Sequence, residues 1–280
     1  MAPSLSGWMM RRFRPGMSRR PQRYSALAIT TVLVIKRVFR LTLRAAQGFI
    51  DSIFALMNVP LRCPDYTSVS KRAKSVNVSF KTSTRGEIAH LVIDSTGLKV
   101  FGEGEWKVRK HGKERRRIWR KLHLAVDSNT HEVVCADLSL NNVTDSEAFP
   151  GLIRQTHRKI RAAAADGAYD TRLCHDELRR KKISALIPPR KGAGYWPGEY
   201  ADRNRAVANQ RLSGSNARWK WTTEYNRRSI AETAMYRMKL LLGDSLTLRD
   251  YDGQVAEAMA MVRALNRMTK AGMPESVRIA

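Results

Sequence analysis

The chain has 280 residues, of which 43% are hydrophobic and 27% are charged, and its formal net charge is +26 at pH 7. This composition is close to the globular average and excludes wholesale disorder, and the length predicts one large domain or one domain plus a small one. Because so large an excess of positive charge repels itself in a compact chain, we expect a polyanionic partner, either nucleic acid or an anionic membrane surface.

Cysteine spacing and hydropathy narrow the class of protein. Cys63, Cys135 and Cys174 lie far apart, which argues against a disulfide framework or a cysteine-rich zinc site and suits a reducing cytosol. The apolar run over 26–35 is about half the roughly 20 residues of a membrane-spanning helix. Lys36 follows this run where a signal peptide would have a small-residue cleavage site. The chain also lacks a basic amphipathic helix with a bulky apolar face, which binding to a membrane surface would need, so we expect no membrane partner.

The N-terminal part of the chain predicts helices. Residues 1–24 are basic and suggest a loose arm. Over 25–77 the pattern predicts three short helices, capped at Ser25 and Thr42 and, for the third, running over 66–76. The third helix is polar and basic, which is typical of a helix-turn-helix DNA reader and equally of a plain helical cap. In the DNA-reading interpretation, its contacts would be Thr67, Ser68, Lys71 and Arg72.

A polar linker over 78–88 leads into the main segment, 89–270, and a tail over 271–280 follows it. Apolar or alternating runs predict strands over 90–100, 119–126, 131–140, 160–165 and 183–187. Helices are predicted after Thr144 and over 171–182, 226–242 and 252–269, and the stretch 190–224 reads as polar and basic. A meander of three strands followed by alternating strands and helices predicts an α/β fold, with a mixed sheet and helices on both faces.

Carboxylates stand out in a chain this poor in acid. Asp94 and Asp166 each follow an apolar strand, at the carboxyl end where the sites of open α/β sheets gather. A carboxylate beside a buried strand is costly unless it is paired or binds a metal. Two such carboxylates side by side would attract a divalent cation, whereas a single one is equally typical of a turn or a cap.

The helix predicted over about 226–242, extended by one residue to Tyr225, carries Tyr225, Arg228, Glu232 and Lys239 on one side. At about 100° per residue, these four side chains fall within a sector of about 60°. The opposite side is apolar and consists of Ile230, Ala231, Ala234, Met235, Met238, Leu241 and Leu242. Such a stripe is typical either of a solvated face with Arg–Glu pairing or of side chains that act together at a site.

Together, Asp94, Asp166 and Glu232, with the spacing Tyr-x2-Arg-x3-Glu-x6-Lys, resemble the DDE transposases of bacterial insertion sequences. The run Arg-Arg-Ile-Trp-Arg-Lys-Leu-His over 116–123 is similar to the group of such elements conventionally numbered five. The resemblance covers about residues 20–270. It implies a ribonuclease-H-like (retroviral-integrase-like) fold, which is a five-stranded mixed sheet whose first three strands are antiparallel.

The resemblance also implies a function. The protein would bind terminal inverted repeats, cleave DNA and transfer the 3′-OH ends to target DNA. Two Mg²⁺ ions, replaceable by Mn²⁺, would be held by Asp94, which bridges both, and by Asp166 and Glu232. The implied partner is double-stranded DNA, bound by a homodimer in the bacterial cytoplasm at the nucleoid. Two alternatives remain, namely an inactive relic that only binds DNA and a stand-alone metal-dependent nuclease of the same fold.

Further basic residues are expected to contact DNA phosphates. Tyr225, Arg228 and Lys239 would grip the transposon end, because arginine suits a bidentate phosphate contact and lysine a point charge. The run over 107–121 has nine cations and one glutamate, which predicts a loop lying on DNA whose binding falls steeply with salt. The cations at the end of this run are Arg116, Arg117, Arg120 and Lys121.

For some positions the sequence is compatible with two interpretations. Lys121 and His123 share one side of a strand, and they either approach the site or lie on an exposed sheet face. Trp219 and Trp221 are candidates for stacking on an unpaired base, with core packing expected for at least one of them. Four histidines show no ligand spacing and are interpreted as structural: His111, His131, His157 and His175.

Overall fold

The computed structural model of the chain describes residues 24–82, 84–100 and 118–272. Almost all of the predicted arm, most of the basic run over 107–121 and most of the tail lie outside the described residues. The chain divides into two compact units. Among the described residues, the first unit holds 24–80, 100 and 241–264, and the second holds the remainder of the chain.

Three helices open the first unit: α1 (Ala26–Val38), α2 (Leu43–Leu56) and α3 (Tyr66–Ala73). Ser25 and Thr42 cap the first two as predicted, because their side-chain oxygens accept from the backbone amide three residues further on, at 3.1 and 3.2 Å. Asp65 caps α3 and accepts from the amide of Thr67 at 2.8 Å. The predicted helices are thus observed, whereas the predicted division into a DNA-binding and a catalytic domain stays a prediction.

Within the described residues, the main path of the sheet in the second unit has five strands: β1 (Ile88–Val100), β2 (Trp119–Asp127), β3 (Val133–Leu140), β4 (Ile160–Ala164) and β5 (Ser184–Leu186). Their order is β3-β2-β1-β4-β5. β1 pairs antiparallel with β2 and β2 with β3, whereas β4 is parallel to both β1 and β5. The predicted mixed α/β sheet with an antiparallel meander is therefore confirmed.

The remaining elements are α4 (Asp145–Ile153), α5 (Arg172–Arg180), α6 (Ala201–Ser213), α7 (Ala217–Thr222), α8 (Ser229–Leu242), the short β6 (Ser245–Leu246) and α9 (Tyr251–Ala271). A capping box of Thr144 and Glu147 begins α4. Ile93 of β1, Ala163 of β4 and Phe149 of α4 belong to one buried core cluster of the second unit. Among the described helices, none combines the length and apolar character that crossing a membrane requires.

Two features of the C-terminal half differ from the sequence analysis. Residues 190–224, described only as polar and basic, contain the helices α6 and α7. The hydrophobic pattern does not predict α6 because the only buried hydrophobic residues of this helix are Ala206 and Val207. Leu241, expected on the apolar side of its helix, is 39% exposed, whereas the neighbouring Leu242 is buried.

The first unit contains a buried charged cluster. Glu257 of α9 is fully buried and accepts hydrogen bonds from Lys36 and from Arg37 Nη1, the latter at 3.1 Å. The other terminal nitrogen of Arg37 donates to the carbonyl of Leu242 at 2.8 Å. The backbone amide of Thr247 donates to Glu257 Oε2 at 2.7 Å. These contacts join α1 to α9 and to Leu242, the last residue of α8.

Candidate active site

Asp94 and Asp166 belong to neighbouring parallel strands. Asp166 lies two residues after the end of β4, but Asp94 lies within β1, which continues to Val100, so the expectation that Asp94 ends its strand is wrong. β1 and β4 pair with a constant offset of 72 residues, from Ile88 with Ile160 to Val92 with Ala164. Asp94 and Asp166 each lie two residues beyond the last of these pairs, and the charge of Asp166 acts on the pKa of Asp94. The structure therefore brings these two predicted carboxylates together.

The third carboxylate, Glu232, is joined to Asp94 through Arg228. Glu232 lies in the first turn of α8, and Arg228 is in the turn that precedes it. Arg228 Nη1 donates to Asp94 Oδ2 at 2.9 Å, and Nη2 donates to Glu232 Oε1. The Arg–Glu pairing expected from the spacing is observed, and the same guanidinium also contacts Asp94 within β1.

Mutual repulsion and burial act on the carboxyl of Asp94. Burial raises the pKa of Asp94, and the charges of Asp166 and Glu232 raise it further. The amide of Ser95, which donates to Asp94 Oδ1 at 2.9 Å, and the guanidinium of Arg228 act in the opposite direction without reversing the shift. A cation placed beside Asp94 would therefore stabilise its ionised form.

The same charges act on Arg228. Burial lowers the pKa of Arg228, but the phenol of Tyr225 and the carboxylates of Asp94 and Glu232 raise it by more. The guanidinium therefore stays charged between the carboxylates.

Tyr225 does not lie on the α-helix that its spacing suggested. Tyr225 and Arg228 are on a 3-10 turn (Tyr225–Arg228), and α8 begins at Ser229. The expectation that all four signature residues share one α-helical stripe is therefore wrong. Tyr225 is 6% exposed, and burial raises its pKa to about 12, so it is a neutral phenol at physiological pH. Lys239, the last signature residue, is half-buried on α8.

The two tryptophans differ in exposure. Trp219 of α7 is 3% exposed, and its ring lies 5.5 Å from that of Tyr225 between centroids. It packs in the core, as expected for one of the pair, and its buried ring is not available for stacking on a base. Trp221 is 78% exposed and remains the candidate for base stacking.

Lys121 and His123 face away from Asp94. His123 pairs with Ser95 on β1, so strand alternation directs its side chain to the opposite face of the sheet. Both side chains approach Asp145 Oδ1, with Lys121 Nζ at 3.5 Å and His123 Nδ1 at 3.7 Å.

Both residues are used within the protein. His123 is buried, its Nε2 is 2.8 Å from Ser139 Oγ, and burial lowers its pKa. Lys121 Nζ also donates to the carbonyl of Val143 at 3.0 Å. The expectation of an exposed sheet face is wrong for His123. Lys121 holds the start of α4 through these contacts, and its contact with DNA stays a prediction.

The remaining predicted DNA contacts are distributed as follows. Arg116 and Arg117 lie outside the described residues, and Arg120 is half-buried on β2. On α3, Thr67 and Lys71 are exposed, whereas Ser68 and Arg72 are half-buried. Arg72 Nη1 donates to the carbonyl of Tyr24 at 2.6 Å, so this guanidinium has a role within the first unit.

The carboxylates suit a hard divalent cation by their chemistry. Such ions take oxygen ligands, and Asp94, Asp166 and Glu232 supply carboxylate oxygens. Within the described part of the chain, no group of three or more His, Cys, Asp or Glu side chains is arranged to hold a metal ion. The position between Asp94 and Glu232 is taken by the guanidinium of Arg228. A metal ion on both carboxylates therefore requires Arg228 to move from them.

Sequence reasoning missed a buried polar cluster that begins four residues after Asp166. Asp170 accepts hydrogen bonds from Arg203 of α6, and its Oδ1 lies 3.2 Å from His175 Nε2. His175 is structural, as expected. The motif Asp-Gly-Ala-Tyr-Asp over 166–170 contained the second aspartate, but the partner arginine is 33 residues away.

Comparison with known proteins adds family matches to this geometry. Residues 85–267 match a family described as "Transposase DDE domain", and residues 3–103 match a second family with the same description. The first match contains Asp94, Asp166 and Glu232. Among solved structures, the chain is similar to a piggyBac transposase synaptic complex with hairpin DNA, determined by cryo-EM. The sequence identity is 11% and the TM-score 0.41, over 92% of this chain and 68% of that chain.

Proposed function

Because the chain belongs to the family of transposases with a DDE domain, we propose that it is the transposase of a bacterial insertion sequence, of the group conventionally numbered five. It binds the terminal inverted repeats of its element, cleaves the DNA and transfers the 3′-OH ends to target DNA. The observation that carries the proposal is the approach of Asp94 to Asp166 across β1 and β4, with Glu232 joined to Asp94 by Arg228.

The fold supports this function by its strand order. The sheet β3-β2-β1-β4-β5 has an antiparallel meander followed by two parallel strands, which agrees with a ribonuclease-H-like (retroviral-integrase-like) domain. In open α/β sheets, sites lie at the carboxyl ends of strands. Asp166 occupies that position after β4, and Asp94 lies within β1, two residues beyond its last pairing with β4.

We assign two divalent ions to the carboxylates, Mg²⁺ by preference and Mn²⁺ as a substitute. Asp94 would hold both ions, and Asp166 and Glu232 would hold one each. When bound, such a pair of ions stabilises the attacking and the leaving oxygen of an in-line displacement at phosphorus. The chemistry of the three side chains supports the assignment, because all three supply the carboxylate oxygens that hard divalent ions prefer.

The protein's own residues hold and orient the DNA strand. Arg228, once it leaves Glu232, presents a fork of donors that matches two phosphate oxygens. Tyr225 is neutral and can donate from its phenol without adding charge. Lys239 supplies a point charge further along α8. Trp221, the exposed tryptophan of α7, stacks on an unpaired base.

The first unit supports sequence recognition in this proposal. Its three short helices suit a helix-turn-helix reader, with Thr67 and Lys71 exposed on the third helix. The net charge of +26 supports binding to DNA phosphates. Two ends of an element must be cut and joined together, so we expect a homodimer on DNA, acting in the bacterial cytoplasm at the nucleoid.

The test is metal-dependent cleavage of a labelled duplex that carries the end of the element. We expect nicks at the transposon end with the wild-type protein and Mg²⁺. The Glu232→Gln variant should lose at least about 100-fold of this activity while it still binds the duplex. Glu199→Gln is the matched control, because the Glu199 side chain is 88% exposed on another part of the second unit, and it should cleave like the wild type.

Other results would point to the alternatives. Equal cleavage by the wild type and Glu232→Gln would exclude Glu232 from the active site. Binding to the ends without cleavage by any variant would indicate a relic that only binds DNA. Cleavage that depends on Glu232 but ignores the terminal repeat would indicate a stand-alone nuclease.

A further inference from the structure

Hydrogen bonds link both ends of the turn that follows Asp166. Asp166 Oδ1 accepts from the amide of Ala168 at 2.9 Å, which fixes the carboxylate to a 3-10 turn (Gly167–Tyr169). The amide of Asp170 donates to the carbonyl of Gly167 at 3.2 Å and closes that turn. Any displacement of Asp170 is therefore transmitted to the backbone that orients Asp166.

Asp170 is held by a buried arginine. Arg203 Nε donates to Asp170 Oδ1 at 2.7 Å and Nη2 donates to Oδ2 at 3.2 Å, which is a bidentate contact between two buried side chains. Burial would raise the pKa of Asp170, but the hydrogen bonds from His175 and Arg203 and the charge of Arg203 lower it below its ordinary value. Asp170 thus stays a carboxylate despite being buried.

Arg203 is itself fixed on its other sides. Its Nη1 donates to the carbonyl of Gly194 at 2.8 Å, and its guanidinium carbon lies 3.6 Å from the centroid of the Trp196 ring. Arg190 adds a direct contact to the turn, because its Nε donates to the carbonyl of Gly167 at 3.3 Å. The segment between β5 and α6 and the helix α6 therefore brace the turn from outside the site.

We propose that the Asp170–Arg203 pair positions the carboxylate of Asp166 for metal binding. This inference rests on the proposed function. Asp170 and Arg203 are positioning residues, since they act on Asp166 through the Gly167–Tyr169 turn and are not assigned to the metal or the DNA. A purely structural role would give the pair an effect on folding stability alone.

The experiment measures Mn²⁺ binding by calorimetry on the full chain without DNA, together with thermal unfolding. We expect Asp170→Asn and Arg203→Lys to bind Mn²⁺ about tenfold more weakly than the wild type. Arg203→Lys keeps the charge and loses the fork of donors, so it is the milder of the two changes. Arg190→Ala removes only an exposed side chain from the turn and serves if the buried variants do not fold.

Glu177→Gln is the matched control. The Glu177 carboxylate on α5 is buried and contacts two arginines, with Arg154 Nη2 at 2.9 Å and Arg180 Nη2 at 2.5 Å. It lies outside the Asp166 turn. We expect this variant to lower the melting temperature without changing the Mn²⁺ affinity.

The outcomes separate the two claims. Equal weakening of Mn²⁺ binding by Asp170→Asn and Glu177→Gln would overturn the positioning role, as would unchanged binding in all variants of the turn. The Asp94→Asn variant checks the underlying metal site. If the wild type bound no Mn²⁺, or Asp94→Asn bound it equally well, the proposed metal site would fail and the positioning role with it.

Discussion

Replacing Glu257 by glutamine should destabilise the protein far more than replacing Lys36 by methionine. The two residues form one buried ion pair, but the cluster around them is not balanced. Lys36 and Arg37 bring two cations against the buried carboxylate of Glu257. The charges of Asp244 and Arg40 act on Arg37 in opposite directions. Loss of the carboxylate therefore leaves Lys36 without an anion, whereas loss of the Lys36 charge leaves a matched pair of Glu257 and Arg37.

The magnitude follows from the contacts. Glu257 accepts from the amides of Thr247 and Leu248, at 2.7 and 3.0 Å, in addition to the two cations. Burial alone would raise the pKa of Glu257, but the nearby cations lower it below its ordinary value. Leaving a buried charge uncompensated costs about 3–5 kcal/mol, and an apolar replacement in a balanced cluster costs about 0–1 kcal/mol. The first change corresponds to a fall in Tm of about 10 °C.

The assay is thermal unfolding followed by circular dichroism, with Glu199→Gln as an exposed control. The pH dependence gives an internal check. Burial already lowers the pKa of Lys36 from 10.5 in the wild type, and removing Glu257 lowers it further. Between the lowered pKa of Lys36 in the folded variant and 10.5, the unfolded state binds more protons than the folded state. The Tm of Glu257→Gln should therefore approach that of the wild type as the pH rises toward 10.5. Equal losses of Tm in Glu257→Gln and Lys36→Met would refute the charge imbalance.

Three further predictions concern other parts of the chain. Burial raises the pKa of Glu177, but its two arginine partners lower it from 4.5 to about 2. The Tm difference between wild type and Glu177→Gln should thus be complete above about pH 4.5 and disappear as the pH falls toward 2. Trp219→Ala should cost about 3–5 kcal/mol in denaturant unfolding. Trp221→Ala should leave stability unchanged and weaken end binding by about 1–3 kcal/mol in filter-binding assays, and equal effects on stability would contradict the assignment of the two rings. Lys71→Ala should reduce the slope of log K against log salt for DNA binding by about 1, and an unchanged slope would remove Lys71 from the DNA interface.

Local patterns predicted most of the sheet and the position of two carboxylates. Apolar runs end at Asp94 and Asp166, and the structure has β1 running through the first and β4 ending just before the second. Hydroxyl caps predicted where α1 and α2 begin. These features depend on residues that are close together in the chain, so they can be predicted from a single sequence.

Contacts between distant residues could not be predicted in this way. Arg228 and Asp94 are 134 residues apart, and nothing in the helical spacing shows that the arginine reaches β1. His123 was expected on an open face because the sequence does not show that Asp145 covers it.

The helix α6, which lies between Asp166 and Glu232 in the chain, was not predicted for the same reason. Arg203 can be buried because it is hydrogen-bonded to Asp170 and packs on the ring of Trp196. The sequence alone does not distinguish such an arginine from one on the surface. Tyr225 was assigned to an α-helix because the pattern does not distinguish an α-helical turn from the 3-10 turn observed.

The most direct measurement of the proposed function is strand transfer by a pre-cut element end. A labelled duplex with a free terminal 3′-OH is incubated with target plasmid and Mg²⁺, beside the same duplex ending in a 3′-dideoxynucleotide. Wild-type protein should join the 3′-OH end to the plasmid and leave the dideoxy end unjoined, and Asp94→Asn and Asp166→Asn should give no joined product with either. Joining by Asp94→Asn, or joining of the dideoxy end, would contradict an active site formed by these carboxylates.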